Sequence, residues 1–104
     1  MRQLTLSLDA LAALRDATES SEPDLAAAAT LAELVGADGV RLGVTEEMRP
    51  VRETDVRGVR RAASLLELRM APAPALVKVA LETRPERVLL ASEGRKGRVA
   101  SRPL

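Results

Sequence analysis

Residues 34–55, LVGADGVRLGVTEEMRPVRETD, contain a helix end, a strand and a long turn in that order, and the rest of the chain repeats this unit. The pattern predicts that the helix ends at Gly36, because glycine adopts the left-handed conformation of a helix C-cap at little cost. Residues 39–44 alternate apolar and non-apolar side chains, which indicates a strand with one buried face. The charged segment 45–50 follows the C-terminal end of that strand, where α/β folds usually place their functional sites.

The same alternation predicts three further strands, and the 3.6-residue periodicity between them predicts helices. The predicted strands are residues 3–8, 39–44, 65–71 and 87–91; the predicted helices are residues 10–17, 23–35, 74–83 and one that is capped by Glu53 or Thr54 and ends near residue 63. Connections of this length join parallel strands by right-handed crossovers, so we expect an α/β fold with four parallel strands in the order 1-2-3-4. We assign residues 1–92 to this domain and residues 93–104 to a basic C-terminal tail.

The composition argues against several classes of site. The 104 residues include no His, Cys, Phe, Tyr or Trp. Without His there is no side chain whose unperturbed pKa lies near neutrality, and without Cys there are no thiolate nucleophiles, thiolate metal ligands or disulfides. Without aromatic rings there are no platforms on which nucleic-acid bases stack. We therefore expect no metal, no cofactor and no ordinary acid–base active site.

The charge balance and the hydropathy pattern limit the partners and the cellular location that we expect for the protein. Sixteen Lys and Arg against fifteen Asp and Glu give a net charge of +1, so no overall field favours nucleic acid. An apolar run of about 18 residues is absent, as is the pattern of a signal peptide. The expectation is a cytoplasmic protein with no membrane contact, for which a nucleic-acid partner ranks low.

A series of short motifs resembles one known family. The motifs are SLD and ALR at residues 7–9 and 13–15, LAEL and GADG at residues 31–34 and 36–39, DVR at residues 55–57, and ALE at residues 80–82 with Pro85 and Val88. Their order and spacing resemble pyridoxine 5′-phosphate synthase, a vitamin B6 enzyme built on a TIM barrel. That family's chains are roughly twice as long. The resemblance implies a half TIM barrel, (βα)3β, with helices on one face.

The resemblance also implies that the family's catalytic and phosphate-binding residues are replaced here. In the first motif the family's asparagine falls at Ser7 and its histidine at Ala10. At the second strand the catalytic histidine falls at Gly43 and the phosphate-side arginine at Thr45. The catalytic glutamate falls at Arg69, and the two threonines fall at about Val99 and Ala100. Asp9, Arg15 and Arg49 are retained, and we interpret the two arginines as surface salt-bridge partners. The family's condensation of two phosphorylated substrates should be absent, so the expectation is a pseudoenzyme without catalytic residues.

Three other motifs favour a structural interpretation. Glu46 and Glu47 are adjacent in a loop and point apart, which favours solvation over a metal pair. The Ser-Ser pair at residues 20–21 has no His to activate it and is typical of a helix cap. The tail carries four cations that could bind an anion, although a basic tail without a ligand is the favoured interpretation. They are Arg95, Lys96, Arg98 and Arg102.

The two faces of the predicted sheet differ in polarity. One face is apolar and should lie under the helices; it carries Leu4, Leu6, Leu8, Val40, Leu42, Val44, Leu66, Leu68, Met70, Val88 and Leu90. The other carries Thr5, Ser7, Arg41, Gly43, Glu67, Arg69, Leu89 and Ala91. Charges inside a closed barrel cost desolvation energy, partly offset if Arg41 or Arg69 pairs with Glu67. An open half-barrel with a polar face therefore fits better.

Homomeric self-assembly is the favoured function, because an open sheet exposes unpaired backbone groups on its first and last strands. The predicted interface residues on these edges are Leu4, Thr5, Leu6, Ser7, Leu8, Val88, Leu89 and Leu90. A Leu6→Pro change should remove an edge donor. Joining the last strand to the first strand of another copy gives a ring or a filament, ranked above a two-copy barrel that would enclose the charges. An anion- or nucleic-acid-binding module that uses the tail is the alternative, and a residual phosphosugar enzyme ranks last.

Overall fold

Four strands form one parallel sheet in the order β1-β2-β3-β4, and the helices pack against one of its faces. The computed structural model describes residues 3–20 and 24–92. The elements are β1 (Thr5–Ser7), α1 (Asp9–Ala17), α2 (Leu25–Leu34), β2 (Gly39–Gly43), α3 (Glu53–Ala62), β3 (Leu66–Met70), α4 (Pro74–Thr83) and β4 (Arg87–Leu90). The predicted half TIM barrel, (βα)3β, is confirmed.

Local signals in the sequence set the helix ends. The carboxylate of Asp24 accepts a hydrogen bond of 3.0 Å from the N–H of Ala26 and so caps the start of α2. Gly36 follows that helix with a φ of 114°, a conformation that side chains rarely permit. Pro74 occupies the first turn of α4, where a missing N–H costs nothing. These three predicted boundaries are confirmed to within two residues.

The core lies between the helices and the middle of the sheet. Val40 pairs in register with Leu66, and Leu42 pairs with Leu68; all four side chains are fully buried. Leu25 of α2 and Leu76 of α4 are also fully buried. Leucine and valine side chains contribute about 1.5–3 kcal/mol each when buried, so a core without aromatic residues can still hold this sheet.

Gly39 allows β2 to approach the residue that precedes β3. A Cβ built on Gly39 would clash with the carbonyl oxygen and the Cβ of Leu65, whose positions are fixed by the backbone. The same approach allows Val40 to donate a hydrogen bond of 3.0 Å to that carbonyl oxygen. A side chain at residue 39 would therefore open the first pairing of the central strands.

The apolar residues of the edge strands are not covered. Leu4 and Leu6 are 54% and 38% exposed, and Val88 and Leu90 are 40% and 50% exposed. The prediction that the whole apolar face lies under helices is therefore wrong for these four positions. The described helices cover β2 and β3, whose apolar residues are buried, and leave the outer flanks of the sheet open.

The edge strands point alternate backbone groups toward their neighbour and toward the open edge. The carbonyl of Leu4 accepts from the N–H of Asp38, and the N–H of Leu8 donates to the carbonyl of Arg41. Leu6 is even-numbered like Leu4 and Leu8, so its N–H also faces β2. The expectation that Leu6→Pro removes an edge donor is therefore wrong. The outward groups of β1 belong to Thr5 and Ser7.

The last strand follows the same rule. The N–H of Ala91 donates to the carbonyl of Met70, so odd-numbered residues of β4 face β3. Val88 and Leu90 therefore direct their backbone groups to the open edge.

None of the helices between residues 3 and 92 that the structure describes has both the length and the apolar character needed to cross a lipid bilayer.

Candidate functional site on the inner face

The sheet face that points away from the helices, called the inner face below, carries a row of charges across three strands. Arg41, Glu67 and Arg87 are neighbours in register on β2, β3 and β4. Arg41 Nε lies 2.5 Å from Glu67 Oε1, and Arg87 Nη1 lies 3.7 Å from Glu67 Oε2. The Glu67 side chain is 4% exposed, whereas those of Arg41 and Arg87 are 30% and 52% exposed. This ionic row places one carboxylate between two guanidinium groups.

The ionic row continues to the other end of the sheet. A guanidinium N–H of Arg87 donates to the side-chain carbonyl of Gln3, which precedes β1. Residues from the first and the last strand regions thus meet across the inner face. The row stabilises the half-barrel as a cross-brace, meaning that each of its polar contacts joins two separate strand regions.

The residue that ends β2, Gly43, is the position to which the resemblance assigns a catalytic histidine. Its N–H donates a hydrogen bond of 2.7 Å to Asp9 Oδ1. A Cβ built on Gly43 would lie 2.9 Å from Asp9 Oδ2, closer than real Cβ contacts. A side chain at residue 43 would therefore require the Asp9 carboxylate to shift.

Arg69 lies next to Gly43 in register, with Leu89 on its other side. It is half-buried, and it forms no ion pair with any residue in the described ranges. The prediction that Arg41 or Arg69 pairs with Glu67 is confirmed for Arg41. Arg69 instead places a cation where the resemblance assigns a catalytic glutamate.

The loop after β2 is closed by its own backbone. The hydroxyl of Thr45 donates 3.0 Å to the carbonyl of Arg49, and the N–H of Met48 donates 2.9 Å to the carbonyl of Thr45. Thr45 is buried. Glu46 and Glu47 are exposed, in agreement with the predicted solvated loop.

Arg15 and Arg49 both form the salt bridges that the sequence predicts, but in different surroundings. Arg49 is exposed, and its guanidinium lies 3.0 Å from Asp16. Arg15 is buried, which differs from the predicted surface position, and its two terminal nitrogens lie 2.8 and 2.5 Å from the two oxygens of Asp55. It also donates to the carbonyl of Pro50 at 3.2 Å. Arg15 thus ties α1 to α3 and to the loop that joins β2 to α3.

Asp55 titrates abnormally because of this pairing. Burial alone would raise the pKa of Asp55, but hydrogen bonds from the Arg15 guanidinium and the Arg52 N–H, with both positive charges, lower it overall below its usual value. The hydrogen bond to Asp55 raises the pKa of Arg15, against the opposing effect of burial. The pair is a structural tie, since both groups are engaged inside the protein.

The remaining positions offer no further chemistry in the described residues. Ser7 and Ala10 are exposed, and the hydroxyl oxygen of Ser7 accepts 3.3 Å from the N–H of Asp9. Within the described residues, 3–20 and 24–92, no group of three Asp or Glu is placed to hold a metal ion. Val99, Ala100 and the cations of the tail, Arg95, Lys96, Arg98 and Arg102, lie outside the described residues.

The predicted edge residues differ in what they present. Leu4, Leu6, Ser7, Val88, Leu89 and Leu90 are exposed, Thr5 is half-exposed, and Leu8 is buried in the core. Sequence reasoning missed two contacts, those of Arg87 on the inner face and of Asp55 on α3. Extending the alternation of Leu89 and Ala91 backward would have placed Arg87 on the inner face. Nothing in the sequence pattern pairs Asp55 with Arg15.

Comparison with known proteins identifies the family. The family described as "Pyridoxal phosphate biosynthesis protein PdxJ" matches residues 4–101. The pyridoxine 5′-phosphate synthase of Thermosynechococcus vestitus is 42% identical over 97 residues, which cover 92% of this chain and 41% of that protein. Those of Trichodesmium erythraeum and Syntrophotalea carbinolica are 40% and 39% identical, over 92% of this chain and 40% and 41% of theirs.

The match therefore extends through nearly all of this chain, and the chain spans about two fifths of the length of the curated relatives it matches. Four parallel strands in sequential order with helices on one face are what such a share of a TIM barrel contains. The suspected resemblance is confirmed: the chain belongs to the PdxJ family of pyridoxal phosphate biosynthesis proteins.

Proposed function

We propose that this chain is a non-catalytic half-barrel that assembles with further copies of itself through its two edge strands. The observation that carries the proposal is the pairing of β1 and β4 on one side only among the described residues. Their outward backbone groups belong to Thr5, Ser7, Val88 and Leu90. Natural sheets cover or blunt such edges, and β1 carries neither Pro nor Lys that would resist pairing.

Three features of the inner face support the absence of the relatives' synthase activity. Gly43 presents no side chain where the resemblance assigns a histidine, Arg69 supplies a cation in place of a carboxylate, and Glu67 is held between two arginines. General acid–base catalysis needs a group that can exchange a proton near neutral pH, and the chain has no His. The buried carboxylate of Glu67 is already engaged by Arg41 and Arg87.

The assembly is tested by the mass of the purified protein across a range of concentrations, using light scattering coupled to gel filtration. We expect particles well above the 11.1 kDa of one chain. A monodisperse 11.1 kDa species at every concentration would end the proposal of self-assembly.

A matched pair of proline variants tests the role of the edge. Thr5→Pro removes an N–H that faces the open edge, where proline is tolerated, and should dissolve the assembly while the helix signal in circular dichroism persists. Leu6→Pro removes an N–H that faces β2 and should weaken the fold of each chain instead. If Thr5→Pro leaves the assembly intact, the edge of β1 is not the joint.

The loss of activity is tested separately, by supplying the family's two phosphorylated substrates and measuring pyridoxine 5′-phosphate. We expect no formation above the rate without protein. Turnover by the purified chain would overturn the non-catalytic half of the proposal and leave the assembly half standing.

A further inference from the structure

Two apolar surfaces lie at the opposite ends of the sheet. The first flank consists of the exposed side chains of β1 and α2 and of the residues next to them: Leu4, Leu6, Leu31 and Val35, which are 54%, 38%, 61% and 74% exposed. The second flank consists of those of α4 and β4: Val77, Leu81, Val88 and Leu90, which are 40%, 72%, 40% and 50% exposed. Each flank therefore combines one edge strand with one helix.

The directions of the helices place these side chains away from the middle of the molecule. On α2, Glu33 contacts Ser64 after α3, and Ala26 lies near Gly58 of α3. At 100° per residue, Leu31 and Val35 lie about 140° and 180° round the helix from Ala26. They therefore point to the side of α2 that has no neighbouring helix among the described residues.

The same geometry holds on α4. Glu82 faces α3, since its carboxylate lies 2.6 Å from the guanidinium of Arg57. Val77 and Leu81 lie about 140° and 100° round the helix from Glu82. The side of α4 that carries them is open, directly beside the uncovered Val88 and Leu90 of β4.

The charges of the two flanks are complementary. Residues 24–40, which contain α2, carry no basic residue. Of their three acids, Glu33 contacts Ser64 on the α3 side, whereas Asp24 and Asp38 are exposed at the two ends of the segment. Residues 74–87, which contain α4, carry Lys78, Arg84 and Arg87, of which Arg87 is bound to Glu67 on the inner face. Their two acids, Glu82 and Glu86, are already paired with arginines of α3. Contact between unlike flanks brings opposite charges together, whereas contact between like flanks brings like charges together.

The basic side of this match is available for pairing. Arg84 follows α4 directly; its side chain is exposed and forms no ion pair with a residue in the described ranges. Lys78 lies about 40° round the helix from Glu82 and so is on the side that faces α3. A parallel joint between β4 of one copy and β1 of the next also repeats the pairing that β2 and β3 make within the chain. The two flanking helices would then cover the joint as α2 and α3 cover β2.

From this geometry we propose that copies associate head to tail, with the second flank of one copy packed on the first flank of the next. The proposal rests on the self-assembly proposed above and adds the polarity of the contact and the helix residues that form it. It commits to a second copy of this chain as the occupant of both flanks. A contact between unlike surfaces closes into a ring or continues as a filament.

The test uses one variant for each flank, at exposed positions that the fold tolerates: Val35→Glu for the first and Leu81→Glu for the second. Each variant alone has lost one half of every joint and should be an 11.1 kDa monomer. In a 1:1 mixture the intact second flank of Val35→Glu can bind the intact first flank of Leu81→Glu. The mixture should therefore form a species of two chains and grow no further.

Thr54→Glu adds the same charge at an exposed position of α3 and should assemble as the unmodified chain does. Circular dichroism confirms that each variant is folded, and Leu31→Glu with Val77→Glu is the replacement pair if one is not. The readout is the mass by light scattering in every case.

The outcomes separate the two proposals. If the unmodified chain is a monomer, self-assembly itself fails. If it assembles but only one of the two variants is a monomer, the contact joins like flanks and the head-to-tail arrangement is wrong. Assembly of both variants, or a mixture that stays monomeric, overturns the assignment of these flanks as the joint.

Discussion

The central strands β2 and β3 and the edge strands β1 and β4 have the same apolar alternation but very different surroundings. Val40 and Met70 in the centre are 0% and 2% exposed, whereas Leu6 and Leu90, which pair with them in register at the edges, are 38% and 50% exposed. The difference lies in what covers each strand and not in its residue pattern. Exposed apolar patches of this kind are typical of interaction surfaces, which is the basis of the proposed contact between copies.

The largest expected effect comes from truncating the same residue type in the two regions. Leu68→Ala leaves a cavity in the core and should lower the free energy of unfolding by about 2–5 kcal/mol. Leu90→Ala removes a half-exposed side chain and should lower it by about 1 kcal/mol or less in a single chain. Urea denaturation at a concentration where the chain is monomeric measures both. Equal losses would show that the edge is as well packed as the centre.

A smaller loss in the free energy of unfolding is expected when the ionic row, which joins the central strands to β4, is broken. Glu67→Gln leaves Arg41 and Arg87 without their carboxylate. A hydrogen bond to a charged group contributes about 1.5–3 kcal/mol, and water screening of the half-exposed Arg87 favours the lower end. Chemical denaturation gives the loss, and Glu47→Gln in the exposed loop is the matched control with no expected change. An unchanged stability in Glu67→Gln would contradict the cross-brace.

The smallest expected effect concerns the tie between α1, beside the edge, and α3. The pKa of Asp55 is lower in the folded chain than its usual value, so the carboxylate contributes stability above the unfolded pKa of about 3.9. That contribution is lost as the pH falls through the unfolded pKa toward the folded one. The stability difference between the unmodified chain and Asp55→Asn should therefore shrink between pH 6 and pH 3. A difference that stays constant over that range would argue against the tie.

The sequence predicts the helices and strands well because their signals are local. Alternation gives the strands, Gly36 and Pro74 fix helix ends, and the resemblance supplies the barrel. Which charges meet depends on strand register, which alternation does not specify. The contacts of Glu67 with Arg41 and Arg87 follow from the alignment of three strands, and only the first was predicted.

Two further features were beyond the reach of sequence patterns. Arg15 is buried because the loop before α3 folds over it and Asp55 meets it from 40 residues away. The direction of the edge amides depends on which residues of β1 bond to β2, so Thr5 and not Leu6 is the outward donor. The occupation of the space beside Gly43 by Asp9 likewise needs three-dimensional coordinates.

Amide hydrogen exchange at the edges tests the central claim most directly, because it reports on single backbone N–H groups. The outward amides of Thr5, Ser7, Val88 and Leu90 should exchange quickly in dilute solution and become protected as the concentration rises. The amide of Val40, bonded within the chain to the carbonyl of Leu65, should be protected throughout and serves as the internal reference. If the four outward amides exchange freely at every concentration while Val40 stays protected, the edge strands do not pair with a second copy.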